Sequence, residues 1–368
     1  MIEKLSLDNF KCFNHVDIPF SKVNVFAGVN GMGKSTAIQA LTLLRQTYEK
    51  GKLKDGLVLN GDIVVIGSGQ DLRSLNSDNE LIGISIKAAT RNYNFHYQYE
   101  NTDYLELKDR IDDSDYQSFI KEGLFNDNFC FLAAERMGPR EIYNLSKYDV
   151  NILHKLGVNG ENVVGYLLEQ GNNDPGTETV KKSKNGHSLE AETNAWLNEI
   201  SPQATISLKN YEAAHRVGLA YRTPSKYGYV DCNAINVGFG ISYCLPIIVA
   251  LLKAKKDDLV ILENPEAHLH PAGQRKMGEL IAAAAAGGVQ IVVETHSDHL
   301  INGLRIAVKN KELEPNDVIF NFFCLQETGQ EGEYEHQRLE PHIMEDGSLD
   351  EWPNGFFDEW DNEIEALF

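Results

Sequence analysis

The sequence predicts an α/β fold built on a phosphate-binding loop, and three adjacent observations carry that prediction. Val23-Asn24-Val25-Phe26-Ala27 is a short apolar run of strand character. Gly28 to Thr36 then reads GVNGMGKST and fits G-x-x-x-x-G-K-[ST], with Gly28, Gly33, Lys34 and Ser35 at the fixed positions. After it, Ile38, Leu41, Leu44 and Tyr48 recur at helical spacing. Strand, glycine loop and helix in that order let successive N–H groups turn inward around phosphate oxygens, and the helix N-terminus adds partial positive charge. Asn30, Gly31, Gly33, Lys34, Ser35 and Thr36 are therefore expected to line a nucleotide phosphate site. Lys34 is expected to face solvent and reach the β- and γ-phosphates of ATP, with the Ser35 hydroxyl on Mg²⁺.

The chain has 368 residues, 42% of them hydrophobic, enough for one large or two ordinary domains. Its formal net charge of −20 is unevenly placed: Lys311 to Phe368 holds 17 acidic and 2 basic side chains. That argues against a uniformly basic nucleic-acid surface but leaves room for a local basic groove, and it suits either a basic partner or simple solubility. Five cysteines (Cys12, Cys130, Cys232, Cys244, Cys324) lie scattered without C-x-x-C, which argues against a disulfide framework or a zinc site and fits a reducing compartment. The opening MIEKLSLDNF is no signal peptide, and no stretch approaches a membrane span, so the expectation is a cytoplasmic protein without membrane contact.

The remaining elements follow from pattern. Ile2 to Pro19 alternates around Leu5, Leu7, Phe10 and Phe13, Asp62 to Ile66 reads as a short strand, and Leu81 to Lys87 with Tyr93 to Tyr99 reads as a hairpin. Glu141 to Ser201 reads as polar and helical, broken by Gly171 to Gly186, which reads as a mobile loop. Arg216 to Arg222 and Tyr227 to Cys232 form a second hairpin. Leu259 to Leu262 and Val289 to Val293 are buried strands, Pro271 opens a helix closing near Gly287, and Ser297 caps the next. No heptad run is long enough for a coiled-coil arm.

Three further constellations carry chemistry. Leu259 to Pro271 reads LVILENPEAHLHP, an apolar strand delivering carboxylates at its C-terminal end, where a P-loop protein holds Mg²⁺ and its attacking water. Ile291 to Ser297 ends its strand in Glu294-Thr295-His296, and a histidine there can hydrogen-bond a γ-phosphate. Asn236 to Ser242 is a glycine turn before a helix, a second set of N–H groups for an anion. The blander readings weigh more elsewhere: His268 with His270 as structural, Asp113 and Asp115 as solvated surface, Lys181, Lys182 and Lys184 as loop charge, while Arg136 and Arg140 suit either sensing of nucleotide or DNA or structural pairing.

The order of these elements resembles the ATP-binding-cassette ATPase head of the SMC, RecF and OLD-nuclease group. The resemblance implies that Glu263 stands at the Walker B acidic position, that His296 is the switch histidine, and that Gly238, Gly240 and Ser242 belong to a signature loop completing the nucleotide site of the opposite subunit. Gln70 matches a glutamine loop that touches Mg²⁺, and Lys11 a basic residue that touches phosphate. Where relatives read Asp-Glu-Pro, this chain reads Glu263-Asn264-Pro265, so Asn264 holds the general-base position and cannot take a proton usefully. Glu266 is the expected substitute, or else hydrolysis is slow and nucleotide acts as a clamp.

Four segments are expected: an N-terminal P-loop lobe over 1–140, a mainly helical insertion over 141–232, a lobe with signature, Walker B and histidine over 233–310, and acidic strands with an aromatic tail over 311–368. The tail, WPNGFFDE onward, resembles that of one bacterial subfamily of standalone ATPases. It carries Trp352, Phe356, Phe357, Trp360 and Phe368, and suits either docking to a partner or closure of the core. The resemblance implies an ATPase that dimerises, or forms a higher even oligomer, around MgATP. It would control an operon-encoded effector, a nuclease, in an anti-phage or restriction-like system. The alternatives are a RecF-like repair ATPase acting on DNA and a nucleotide-gated scaffold with little turnover.

Overall fold

The computed structural model describes the chain except residues 76, 78, 89–90, 203, 328–333, 354, 357–366 and 368. The elements run β1 (Ile2–Phe10), β2 (Phe13–Pro19), β3 (Val23–Gly28), α1 (Lys34–Glu49), β4 (Gly56–Val58), α2 (Gly69–Leu72), β5 (Leu81–Ala88), β6 (Arg91–Gln98), β7 (Tyr104–Glu106) and α3 (Asp113–Phe119). They continue as β8 (Cys130–Leu132), β9 (Ile142–Asn144), α4 (Lys147–Asn151), α5 (Val163–Gln170), α6 (Leu189–Ile200), β10 (Thr205–Tyr211), β11 (Arg216–Ser225), β12 (Gly228–Asn233) and α7 (Phe239–Lys253). The last are β13 (Leu259–Glu263), α8 (Pro271–Ala286), β14 (Gln290–Glu294), α9 (Asp298–Lys309), β15 (Val318–Glu327) and β16 (Tyr334–Leu339). They divide into two compact units, one of residues 1–126, 315–344 and 349–368, the other of 127–314 and 345–348.

In the first unit β1 is central to an antiparallel sheet of order β2-β1-β5-β6. Leu7 pairs with Val16 on one side and Ile84 on the other, and all three are buried, as the alternation demands. Strand β3 is apolar because it runs parallel to β15, Val25 opposite Phe320, beneath buried neighbours. Strand β16 adds antiparallel to β15. The end of the chain closes this core: Phe356 is fully buried, its ring 5.6 Å from Phe320 and 5.3 Å from Phe322. Trp352 leans on Phe356 at 5.8 Å but stays 49% exposed. Phe357, Trp360 and Phe368, the rest of the expected aromatic set, lie outside the described residues.

The expected strand over Asp62 to Ile66 is replaced by an irregular turn with one isolated bridge, Asn60 to Val65. The reason is local. The Gln46 carbonyl oxygen, on α1, accepts from the N–H groups of Ile63 (3.1 Å) and Val64 (3.0 Å), so donors that would have built a ladder go to a helix side chain.

In the second unit β13 lies between β14 and β8, both parallel, with Ile261 opposite Val292 and Phe131. Helix α8 starts with Pro271 behind His270 as N-cap, and α9 starts at Ser297, whose hydroxyl accepts from Leu300 N–H at 3.0 Å. The segment expected to be mainly helical holds α4, α5 and α6, but also an antiparallel sheet in which β11 pairs with β10, β12 and β9. The expected mobile loop at 171–186 is pinned instead. Gly176 N–H donates to Leu252 O (2.7 Å), the Trp196 indole donates to Val180 O (2.8 Å), and the buried Glu192 carboxylate accepts from Lys182 and Ser183 N–H.

Candidate functional site

The loop after β3 is shaped by glycines that no other residue could replace cheaply. Gly28 (φ 130°) and Gly33 (φ 111°) both sit in left-handed space. A Cβ on Gly28 would meet Phe323 O at 2.1 Å, and one on Gly33 would meet the Phe13 ring at 2.3 Å. Gly33 is the N-cap of α1 without a side-chain cap, so the helix start is left to its backbone. Asn30, Gly31 and Ser35 are exposed, and Thr36 is buried behind them.

Lys34 does not face solvent as expected. It is 3% exposed, and its ammonium donates to Gly28 O at 2.7 Å and Val29 O at 3.0 Å. The loop folds over its own lysine, a charge held by the carbonyls of the loop it belongs to. An incoming phosphate would exchange neutral acceptors for charged ones at that ammonium.

Lys11 lies in the turn between β1 and β2, at a left-handed φ of 51°, and donates to the Gln39 side chain at 2.6 Å. Burial lowers its pKa. Gln70 is exposed on α2, whose N-cap Ser68 and Asp71 form a capping box. Lys11 and Gln70 line one cavity of about 480 Å³ together with Arg73, which the sequence reading did not single out.

In the second unit the end of strand β13 and the turn after it carry three polar positions of different fate, Glu263, Asn264 and Glu266. Glu263 accepts from Ala134 N–H at 2.9 Å through one oxygen, and burial raises its pKa. Asn264 adopts a left-handed φ of 45°, and its side-chain oxygen is buried without a partner. Glu266 is 8% exposed; one oxygen accepts from His296 N–H at 2.8 Å, and the other is buried without a partner. Burial raises the Glu266 pKa, with the His296 N–H, its own N–H, the Thr295 hydroxyl and Arg136 pulling the other way. A carboxylate fixed through one oxygen by a backbone N–H is oriented, as a general base must be. His296 itself is exposed between buried Thr295 and Ser297.

The glycine turn before α7 divides into two kinds of position. Gly238 is exposed, has ordinary φ, and a Cβ there would meet nothing. At Gly240 a Cβ would meet His268 O at 2.4 Å, so this glycine is needed for close packing on the turn after β13. Ser242 is buried beside the Tyr221 hydroxyl at 3.4 Å, too long for a strong bond. Among the described residues no group of three or more histidine, cysteine or carboxylate side chains is placed to hold a metal ion.

The residue that sequence reasoning left undecided is Arg136, and it is central here. It is 3% exposed, donating to Ala133 O (2.9 Å), Glu263 O (2.6 Å) and Asn264 O (2.7 Å). The sequence shows only an arginine four residues past a core strand; its place beside the end of β13 comes from the fold. The blander readings hold for other charges, with Lys181 on Glu178 and Lys182 on Glu199 and the Trp196 ring.

A P-loop closed on its lysine, a strand end with a half-satisfied carboxylate, and a glycine turn into a helix define a P-loop ATPase of the ABC type. The comparisons with known proteins agree. Residues 23–302 match a family described as "AAA domain, putative AbiEii toxin, Type IV TA system", and residues 313–367 match a family described as "Protein of unknown function (DUF3696)". The chain belongs to that AAA-domain family and is an ATP-hydrolysing enzyme. No curated protein matches. Among solved structures, an SMC head bound to the C-winged helix domain of ScpA is similar at a TM-score of 0.54, 16% identity, with 92% of this chain and 97% of that one covered. An Smc head domain with an extended coiled coil, bound to the C-terminal domain of ScpA derived from Pyrococcus furiosus, is similar at 0.51, 14% identity, with 100% and 99% covered. Both show the fold. No helix among the described residues is long and apolar enough to cross a membrane.

Proposed function

We propose that the chain binds MgATP between two copies and hydrolyses it with Glu266 as the base that Asn264 cannot be, using the cycle to control a partner effector. One observation carries this reading: Glu266 is buried three residues past Glu263 and held by His296 N–H, in a chain whose P-loop is complete. Keeping such a group in a folded protein is costly unless it has a task.

The residues present fit the nucleotide. The glycines leave the loop room for phosphate, Lys34 supplies charge, and Lys11 with Gln70 lines the adjoining cavity. The resemblance assigns Ser35, Glu263 and Gln70 to Mg²⁺, which when bound would neutralise charge on the phosphates. In this reading Lys34 leaves its loop carbonyls for phosphate oxygens. Glu266 orients a water and takes its proton, while His296 donates to the phosphate being released. Gly238, Gly240 and Ser242 present the start of α7 to the other copy's nucleotide. The chemistry is mainly positioning and charge stabilisation.

The effector is read as a nuclease of a bacterial anti-phage or restriction-like system. The toxin–antitoxin wording of the matched family supports a defence setting, and the acidic C-terminal region favours a basic partner. The test is light scattering on Glu266→Gln with and without ATP. Arrested hydrolysis should trap an ATP-dependent dimer, whereas a monomer at every nucleotide concentration would refute the shared site. The effector part is tested by whether the product of a flanking gene co-purifies with that trapped form.

A further inference from the structure

The exposed start of α7 and the buried end of β13 are joined by one continuous set of contacts. Phe239, 58% exposed at the first position of α7, places its ring 5.9 Å from His268 and 6.2 Å from Tyr243. Tyr243, one turn on, meets His268 edge-on at 4.8 Å. Behind Tyr243 lies the Arg136 guanidinium, 5.4 Å from the ring centroid. Arg136 then holds the carbonyls of Glu263 and Asn264, the peptides that set where Glu263 and Glu266 point. Glu266 closes the set on His296 N–H.

Two features make this more than ordinary packing. The turn after β13 contains two non-glycine residues in left-handed space, Asn264 (φ 45°) and His268 (φ 63°), conformations that persist only where surroundings over-determine them. Arg136 also leaves its Nε buried and without a partner while its other nitrogens bond only backbone carbonyls. A buried arginine that pairs with no carboxylate side chain, and spends its fork on a strained turn, is placed to fix geometry. The packing is tight as well: at Gly240 the helix start touches His268 O so closely that no Cβ fits, so a shift of α7 must move that turn.

We propose that Arg136 is a positioning residue that couples the glycine turn at the start of α7 to the carboxylates at the end of β13. Resting on the reading of ATP shared between two copies, this makes each copy's α7, touching its partner's nucleotide, the sensor that sets Glu263 and Glu266 in its own site. The two ATP sites then fire together. Removing the fork uncouples them without removing the P-loop that binds nucleotide.

The experiment is steady-state ATP hydrolysis against ATP concentration, with binding of a fluorescent ATP analogue measured in parallel, on the full chain and on Arg136→Met, Arg136→Lys and Tyr243→Leu. The wild-type chain should hydrolyse cooperatively, with a Hill coefficient above ~1.5 of a maximum set by its two sites. Arg136→Met should lower the maximal rate at least ~10-fold and bring the coefficient to ~1, with analogue affinity within ~2-fold of wild type. Arg136→Lys, a single point donor, should restore charge but not cooperativity. Tyr243→Leu leaves Arg136 in place and should also lose cooperativity, which covers the case in which Arg136→Met fails to fold. A wild-type chain that forms an ATP-dependent dimer while Tyr243→Leu and Arg136→Lys stay fully cooperative overturns the coupling alone. A wild-type chain that never dimerises with ATP overturns both the coupling and the shared-site reading.

Discussion

The loop after β3 and the turn after β13 both follow a short buried apolar strand and both carry the polar groups of the ATPase, yet they are built in opposite ways. The first is made by backbone. Its glycines occupy left-handed space, and its one buried charge, Lys34, is satisfied by the carbonyls of Gly28 and Val29. The second is made by side chains. Asn264 and His268 hold left-handed conformations without being glycine, Arg136 ties down the carbonyls, and polar atoms of Arg136, Asn264 and Glu266 stay buried without partners. A backbone-built loop tolerates change in its surroundings and depends on a few fixed positions. A side-chain-built turn spreads its dependence over residues far apart in sequence and stores unsatisfied groups that chemistry can use.

The sharpest break in the comparison comes from Lys34→Ala. Its loss removes the phosphate ligand and also the charge that the carbonyls of Gly28 and Val29 hold, so turnover should fall ~100-fold or more with far-ultraviolet circular dichroism unchanged. Unaltered nucleotide affinity and turnover would remove the P-loop assignment.

On the other side, Glu266→Gln should slow hydrolysis by ~10²-fold or more, as expected for loss of a general base, while ATP still binds. Glu263→Gln should slow it as well. A Glu266→Gln protein working at the wild-type rate while Glu263→Gln is dead would show that Glu266 is structural. The pH profile follows from burial. The Glu266 pKa is raised, so activity that needs its carboxylate should fall as pH drops through a midpoint above the ordinary carboxyl value, and Glu266→Gln should erase that limb.

The packing beneath the P-loop gives the next effect in size. Strand β15 fills the space where a Cβ on Gly28 would lie, and Phe356 covers β15 from the other end of the chain. Phe356→Ala should cost ~3–5 kcal/mol by chemical denaturation, and Trp352→Ala much less. The expected balance between a docking tail and a core tail thus resolves residue by residue: Phe356 is core, and Trp352 keeps an exposed face. A Phe356→Ala chain as stable as wild type would contradict that.

The smallest effect is one of sign. A raised folded-state pKa means that the folded chain holds the Glu266 proton more tightly than the unfolded one, so ionising it costs stability as pH rises from the ordinary carboxyl value through the raised one. Glu266→Gln should therefore melt ~1–3 °C higher than wild type near neutral pH, with the gap closing in acid. A lower melting point at pH 7 would mean that Glu266 supports the fold.

How much was legible in the sequence divides along the same line. The strand, glycine loop and helix at 23–48 read correctly because backbone geometry there is written in residue type: glycine where φ is positive, apolar residues where both faces are covered. The caps of α8 and α9 read for the same reason. What failed was wherever a side chain took over a backbone's partner. Gln46 draws the donors of Ile63 and Val64, Glu192 pins Lys182 and Ser183, and Lys34 turns inward to its own loop. Arg136 stayed undecided because its acceptors are carbonyls, which leave no mark in sequence. The sheet over β9 to β12 was seen only as its β11–β12 hairpin, since β9 and β10 are polar and half exposed.

The central claim, one ATP site made by two copies, is tested most directly by mixing two inactive variants. Gly238→Asp is the appropriate partner to Lys34→Ala, because Gly238 is exposed with open space for a side chain, whereas an aspartate at Gly240 would collide with His268 O and damage its own copy. A carboxylate at position 238 would face the other copy's γ-phosphate and repel it. In a mixed dimer one composite site carries both lesions and the other carries neither. An equal mixture should therefore recover at most roughly a quarter of wild-type hydrolysis if subunits exchange freely, and less the more tightly the two sites are coupled, while each variant alone stays inactive. No recovery at any ratio, together with no ATP-dependent mixed dimer although exchange is shown to occur, would mean that each site is completed within one chain.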